Sequence, residues 1–268
     1  MSNKILVITA LLGDKKVDLP TFEKHKNCDY VMISDKANIT DGLWEVKNPN
    51  RFSMDSGYAD RRDAKIYKIL PNLFWPDYDY YIWHDCTNWL EEDPNKFINK
   101  YMKNSDFLNF RHPARGCVYA EIEMCSQYNF DYQICLEAFR NFLKGIHYPE
   151  NNGLYENSAF IRRNTEEANA VCLTWWELIC KFSSRDQLSL PLAYYHHNVE
   201  PDILFGSGQS YGGNNKFIPS LETTYNLEGK KPKISYPPPI KGATTTKKTT
   251  ILEESHSSHP FNDTIKKK

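Results

Sequence analysis

The sequence predicts an α/β fold, a mostly parallel central sheet flanked by helices. Three observations carry that expectation. Short β-favouring apolar runs alternate with stretches of helical periodicity along residues 5–180. Three of the runs end in clusters of polar side chains, as strands do where the carboxyl edge of a sheet builds a ligand site. The chain has 268 residues at 40% hydrophobic and 14% aromatic content, enough for one large core or two small ones.

Ile5 to Thr9 is the first strand. Its apolar run is too short for a secretory signal and enters a Gly13-Asp14-Lys15-Lys16 turn. Tyr30 to Ser34 is the second. Arg61 to Leu70 reads as a helix stopped by Pro71. Tyr80 to Trp83 is a strand that breaks off abruptly in His84-Asp85-Cys86-Thr87-Asn88. Asp93 and Pro94 supply an N-cap and a first-turn proline for a helix to about Met102. Asp106 to Phe110 is strand-like, Val118 to Phe142 holds one or two helices, and Ser158 to Ile161 is a short strand. Asn164-Thr165-Glu166-Glu167 then caps a long helix with Val171, Trp175 and Leu178 on one face.

Residues 1–228 read as one continuous domain. The composition changes in 229–268, a low-complexity stretch poor in large apolar residues that reads as a disordered tail. That stretch has nine Lys against three acids, which leaves 24 basic and 31 acidic residues, a charge of −7, in 1–228. An acidic body argues against nucleic-acid binding, and a nucleotide would need a local cation. No stretch approaches the ~20 apolar residues of a membrane span. Seven Cys, an odd number with no Cys-x-x-Cys pair, argue against a disulfide framework and a structural zinc. The expected location is the cytoplasm.

The polar clusters at strand ends are Thr9 to Asp14, Ser34-Asp35 and His84 to Asn88. The first two could hold a nucleoside, with Asp35 accepting from a base N–H or a ribose hydroxyl, and the third would sit near a diphosphate. Taken singly, each is also ordinary turn chemistry. On the helix, Arg61, Lys65 and Lys68 share a face, with Arg62 about a third of a turn away. Stacked like charges repel unless neutralised, so the face reads equally as a diphosphate cradle or as a solvated face paired with Asp60 and Asp63. The loop His112-Pro113-Ala114-Arg115-Gly116-Cys117 presents His112 and Arg115, while Cys117 reads as a small core residue rather than a nucleophile. Glu156 and Asn157 at the mouth of a strand suit sugar hydroxyls, because carboxylate and amide accept from and donate to vicinal OH groups. Ser184-Arg185-Asp186-Gln187 combines a cation, a carboxylate and an amide. Asp186 reads as a general base for an acceptor hydroxyl, or as a first-turn residue suited to the helix dipole behind a Ser184 N-cap. His196 and His197 point different ways, so at most one could join Asp85 on a metal.

In order along the chain stand Arg62-x-x-Lys65-x-x-Lys68-Ile69-Leu70, then Phe74, Tyr78 and Tyr81-Ile82-Trp83-x-Asp85. His112-Pro113-x-Arg115-x-Cys117-Val118-Tyr119, Gly153-Leu154-x-Glu156-Asn157 and Ser184-Arg185-Asp186-Gln187 follow. Over residues 4–205 this series resembles the glycosyltransferase-like domain family of plant mucilage and turgor-regulation proteins and their bacterial and viral relatives. The resemblance implies a GT-A fold, with a Rossmann-like nucleotide half at about 1–105 joined to an acceptor half at about 106–228. It implies sugar transfer from a nucleotide-diphosphate sugar to a glycan acceptor, with Mn²⁺ or Mg²⁺ as the usual divalent cation. Thr9, Ala10, Asp35, Arg62 and Lys65 would then contact the nucleotide, with Asp85 and Thr87 beside the donor. His112, Arg115, Glu156, Asn157, Arg185 and Gln187 would orient sugars and acceptor. Asp186 is the candidate base if the enzyme inverts the anomeric centre, and the group that steadies an oxocarbenium-like centre if it retains it. Metal ligation would fall to Asp85, with His197 as a second ligand. One departure stands out: GT-A enzymes generally carry Asp-x-Asp, whereas this chain has Asp85-Cys86-Thr87, and Thr87 is a poor ligand for a hard cation. Either Asp85 holds the cation with help from elsewhere, or the basic helix takes over part of the diphosphate charge. The rival expectations are a non-catalytic glycan-binding module and an amide hydrolase of ceramidase type, a label some relatives carry. The latter finds no His-Glu-x-x-His cluster here.

Overall fold

Buried, β-branched and aromatic runs form the strands, and helices cover the sheet on both faces. The computed structural model describes residues 3–207 apart from 15–16, 18, 37–38, 40–41, 55–56 and 91, together with 215–216 and 218–220. In chain order the elements are β1 (Ile5–Leu11), β2 (Cys28–Ser34), β3 (Glu45–Lys47), α1 (Ala59–Ile69), β4 (Tyr80–His84) and β5 (Asn88–Trp89). Next come α2 (Pro94–Tyr101), β6 (Phe107–Arg111), α3 (Val118–Gln127), α4 (Gln133–Gly145) and β7 (Tyr155–Arg163). The last are α5 (Glu166–Lys181), α6 (Asp186–His197), β8 (Asp202–Ser207), β9 (Asn215–Lys216) and β10 (Ile218–Ser220). The main sheet runs β10-β8-β6-β7-β4-β1-β2-β3, and β5 pairs with β9 in a small ribbon.

The centre of the sheet is parallel, as the alternation of elements predicts: β1 lies between β2 and β4 and is parallel to both. Both β1 and β4 are buried along almost their whole length, which is what covering on both faces requires of a parallel strand. α1 gives way at Leu70 to a short 3₁₀ turn because Pro71 follows it. Asp93 accepts the Lys96 N–H at 3.0 Å at the start of α2, and Thr165 accepts the Ala168 N–H at 3.1 Å at the start of α5. Val118–Phe142 resolves into the two helices α3 and α4.

The sheet is mixed. β7 is longer than the short strand expected around Ser158 and runs antiparallel to both of its neighbours, β4 and β6. That reversal puts the start of β7 beside the end of β4, with Ala159 opposite His84. β3, β5, β8, β9 and β10 have no counterpart among the expected elements, and the helix that is one alternative reading at Asp186 is α6, with Arg185 rather than Ser184 as its N-cap. β3 is three residues long, and α6 is buried around almost its whole circumference, so it has no amphipathic stripe to read. The tail expected over 229–268 lies outside the described residues. Among the described residues no helix is long and apolar enough to cross a membrane.

Two cores flank the sheet. The larger contains Trp175 of α5, which is fully buried, packs edge-on against Phe160 at 5.6 Å and donates its indole N–H to the Asp186 carbonyl at 3.1 Å. The opposite face is closed by Phe97, Ile98 and Tyr101 of α2. Replacing Trp175 by Ala removes a fully buried ring and the bond that fixes the first turn of α6. Urea unfolding is expected to show a loss of about 3–5 kcal/mol. A loss under ~1 kcal/mol would mean that the ring is not the link between sheet and α6.

Candidate functional site

The carboxyl ends of β1 and β4 and the start of β7 meet at one edge of the sheet, where the Asp85 N–H donates to the Ser158 carbonyl at 2.7 Å. A cavity of about 600 Å³ opens there. Ala10 to Leu12 line it from β1 and its exit, and Arg61, Lys65 and Lys68 from α1. Trp83, Asp85 and Thr87 come from the end of β4, Glu156 to Ser158 from β7, and Arg185 to Gln187 from the start of α6.

At its floor two ammonium groups share one carboxylate. Lys65 donates to Asp186 at 2.7 Å and to the Ser184 carbonyl at 2.7 Å. Lys68 donates to the other Asp186 oxygen at 2.5 Å and to the Asn157 carbonyl at 2.5 Å, and its ammonium lies 5.2 Å from the centre of the Trp83 ring. All three side chains are buried. The spacing of α1 brings the two lysines to one side, and the first turn of α6 presents Asp186 with the helix dipole in its favour. Burial by itself would raise the Asp186 pKa, but the two ammoniums outweigh it and hold the carboxyl well below the usual range. Burial lowers the Lys65 pKa, assisted by Lys68 and opposed by Asp186. Within electrostatic reach of the cluster, half-buried Asp85 accepts the Trp83 indole N–H at 3.1 Å, and burial pushes its carboxyl upward against the pull of Lys68.

A second layer holds these groups. Asp131 accepts from the Ser183 and Ser184 hydroxyls at 2.8 Å each and from the Ser184 N–H at 2.7 Å, which pins the turn before α6. Arg61 donates to Ser184 Oγ at 3.1 Å and to the Phe130 carbonyl at 2.8 Å. Arg115 donates to Glu121 at 2.5 Å, and the other Glu121 oxygen lies 3.8 Å from Arg185, which in turn donates to Gln187 at 2.7 Å. Burial and the nearby Arg115 and Arg185 push His112 down to about 3, so its neutral Nδ1 accepts the Arg115 N–H at 3.1 Å.

Of the residues singled out from the sequence, Ala10, Lys65, Asp85, Thr87, Glu156, Asn157, Arg185, Asp186 and Gln187 line this one cavity. Others do not. Thr9 is fully buried in β1 and its hydroxyl has no hydrogen-bond partner among the described residues. Asp35 sits beside the rim, accepting the Gly13 N–H at 3.1 Å and paired with Arg51. Arg62 is outside the lining, its guanidinium near Cys180 of α5, and Arg61 takes its place. His112 and Arg115 stand behind Arg185, coupled to it through Glu121. His197 lies 2.8 Å from Thr174 Oγ1 at the far end of α6, about 16 Å along the helix axis from Asp186. Arg61 and Lys68, which share the helical face of Lys65 read from the sequence, also line the cavity, as does Trp83 of the Trp83-x-Asp85 motif. Tyr58 and Ala64 line it too, and nothing in the local sequence pattern marks them as walls of the site.

Divalent-cation chemistry is what the sequence resemblance implies, and the donor set bears on it. Among the described residues no group of three or more His, Cys, Asp or Glu is placed to share a metal. Cys86 is buried, and the Thr87 hydroxyl lies 3.5 Å from Asn88 Oδ1. The residues fit a hard cation as one carboxylate, Asp85, with ligand oxygens completing its sphere, a mode usual for Mg²⁺ on nucleotides.

Two buried groups make stability fall in acid, in separate windows. Burial lowers His84 to about 4 despite the Asp85 carbonyl 3.1 Å from its Nδ1. The unfolded chain therefore takes up a proton that the fold refuses, and about 3 kcal/mol of stability goes as pH falls from 6.5 to about 4. Asp186, with its folded pKa well below the unfolded value of 3.8, contributes stability that is present above 3.8 and is lost as pH falls from there through the folded pKa. Thermal melts from pH 7 down to about 1.5 should show the upper phase and the lower one below 3.8, with His84→Gln removing the upper and Asp186→Asn flattening the lower. An unchanged lower phase in Asp186→Asn would contradict the double ion pair.

The TOD1/MUCI70 glycosyltransferase-like domain family matches residues 17–205 of the chain. The probable hexosyltransferase MUCI70 of Arabidopsis thaliana is 25% identical over 162 residues, which is 55% of this chain and 27% of the relative. The chain thus spans about a quarter of that relative's length. The ordered motifs, the α/β sheet and the family match over residues 17–205 lead to one identification: the chain belongs to the TOD1/MUCI70 glycosyltransferase-like domain family.

Proposed function

We propose that the chain transfers a hexosyl group from a nucleotide-diphosphate sugar to a glycan acceptor, in a GT-A arrangement with the cavity at the end of β1 and β4 as its donor site. One observation carries the reading: Lys65 and Lys68, buried and locked on Asp186, face the cavity beside Asp85. Departure of a nucleoside diphosphate builds negative charge on its phosphate oxygens, and preorganised cations in a water-poor site stabilise that charge. Each ammonium has three N–H groups, of which two bond protein oxygens, so each keeps one for a phosphate. Arg61 and Arg185 at the same wall extend the cationic surface.

The remaining roles follow from environment. A carboxylate held by two ammoniums has little proton affinity, so Asp186 positions the lysines rather than serving as the general base. Asp85, with its pKa raised, is the better acceptor of a proton or contact to the donor sugar. Asn157 Nδ2 is buried with no hydrogen-bond partner among the described residues, and Glu156 accepts from the Ser158 hydroxyl at 3.1 Å; both line the cavity and suit sugar hydroxyls. A divalent cation, when bound, would sit on Asp85 and supply Lewis-acid stabilisation of the diphosphate.

Release of nucleoside diphosphate from a panel of nucleotide sugars, with and without Mn²⁺, tests the reading. Lys68→Ala is expected to lower kcat/KM at least ~100-fold, the scale for removing one preorganised donor, and Asp85→Asn by a similar factor. Lys68→Ala should also abolish the rise in Tm that nucleoside diphosphates give the wild type. Turnover of no donor, or full activity in Lys68→Ala, would contradict it.

A further inference from the structure

We infer that a second cleft, lined by tyrosines at the far end of α6, binds a neutral oligosaccharide and serves as a subsite for the glycan acceptor. It encloses about 470 Å³, within the usual range for a small-ligand cleft. Its chemistry comes from Asn152, Tyr155, Tyr194, Tyr195, Asn198 and Glu200. Among the described residues no Lys, Arg or His lines it. Two charges act on Tyr155, the Glu200 carboxylate more strongly than Arg111; a phosphate or uronate would meet that carboxylate in the lining, so anionic ligands are disfavoured. What remains is a set of aromatic faces beside amide and carboxylate groups. Aromatic faces pack on the C–H faces of pyranose rings, while amides and carboxylates bond the hydroxyls at the ring edges.

The aromatic wall is preorganised. The Tyr194 hydroxyl donates to Asn109 Oδ1 at 2.6 Å, and Tyr155 meets the Tyr194 ring edge-on at 5.4 Å. Tyr195 is 48% exposed, yet its ring is braced edge-on by Tyr148 at 5.1 Å. The Tyr148 hydroxyl accepts from Asn152 Nδ2 at 3.2 Å, which leaves the Asn152 carbonyl oxygen as an acceptor. Asn198 ends α6 in the left-handed conformation, φ 53°, with its side chain exposed. Holding an exposed Tyr in place lowers the ordering cost of binding, as in rigid tyrosine-rich recognition surfaces.

Tyr155 lines the cleft and the next residue of β7, Glu156, lines the donor cavity from the other side of the strand. An acceptor glycan long enough to pass around the start of β7 reaches from the cleft to the donor cavity. That role as an acceptor subsite rests on the transferase reading proposed above; binding of the saccharide does not.

The full chain is titrated by calorimetry with neutral xylo-, manno- and cello-hexaoses and with an acidic oligogalacturonide. At least one neutral hexaose is expected to bind, and the acidic one to bind at least tenfold more weakly. Tyr195→Ala and Asn198→Gly, the latter compatible with the left-handed backbone, should each weaken binding at least tenfold. The Tm rise with nucleoside diphosphate is measured on the same samples and should be unchanged in both variants. Binding of no neutral hexaose, preference for the acidic one, or full binding in both variants overturns the inference. Saccharide binding without any nucleotide response would uphold the cleft and overturn only the donor site.

Discussion

Two lysine ammoniums from one helix meet a single carboxylate from another beneath the cavity floor, and much of the architecture serves to keep that cluster together. Burying three charges is costly unless every donor and lone pair is met, and removing one partner of such a group typically costs about 3–5 kcal/mol. Here the Ser184 and Asn157 carbonyls take further ammonium protons, and Trp175 donates to the Asp186 carbonyl. The Ser184 turn is in turn held by Asp131. The cluster therefore ties α1, β7, α5 and the α3–α4 connection to the start of α6. A site assembled from so many elements is rigid before a ligand arrives, which is what electrostatic stabilisation of a leaving group demands.

The antiparallel course of β7 is the topological condition for this arrangement. An all-parallel strand at that position would begin at the opposite edge of the sheet and carry Glu156 and Asn157 away from Asp85. Because β7 runs backwards beside β4, its first residues join the carboxyl edge, the usual place for a ligand in a doubly wound sheet. The same reversal places Tyr155 and Glu156, neighbours in sequence, in two different recessed surfaces.

Much of this was legible in the chain. The buried runs at Ile5 and Tyr80, the Pro71 stop, the Asp93 and Thr165 caps and the lysine spacing of α1 each follow from local rules, and the structure repeats them. The direction of β7 was not legible, because strand direction depends on pairing across distant segments. The start of α6 is one of two readings of segment 184–187, but its extent was hidden because it is buried nearly all round and so lacks a polar face. His112 and Arg115 look like ligand-binding groups in sequence, yet their partner Glu121 lies on α3, and only the fold shows that they brace Arg185. Asp186 differs again: its neighbours in sequence suggest a base, and its neighbours in space are two lysine ammoniums.

Under the proposed function, the lysine pair would supply beside the single acid Asp85 fixed positive charge toward a diphosphate. The most direct measurement is a crystal structure with a nucleoside diphosphate bound. The account predicts phosphate oxygens within hydrogen-bond distance of Lys65 Nζ and Lys68 Nζ, with Asp186 still bridging the two. A nucleotide whose phosphates lie away from both lysines would contradict it.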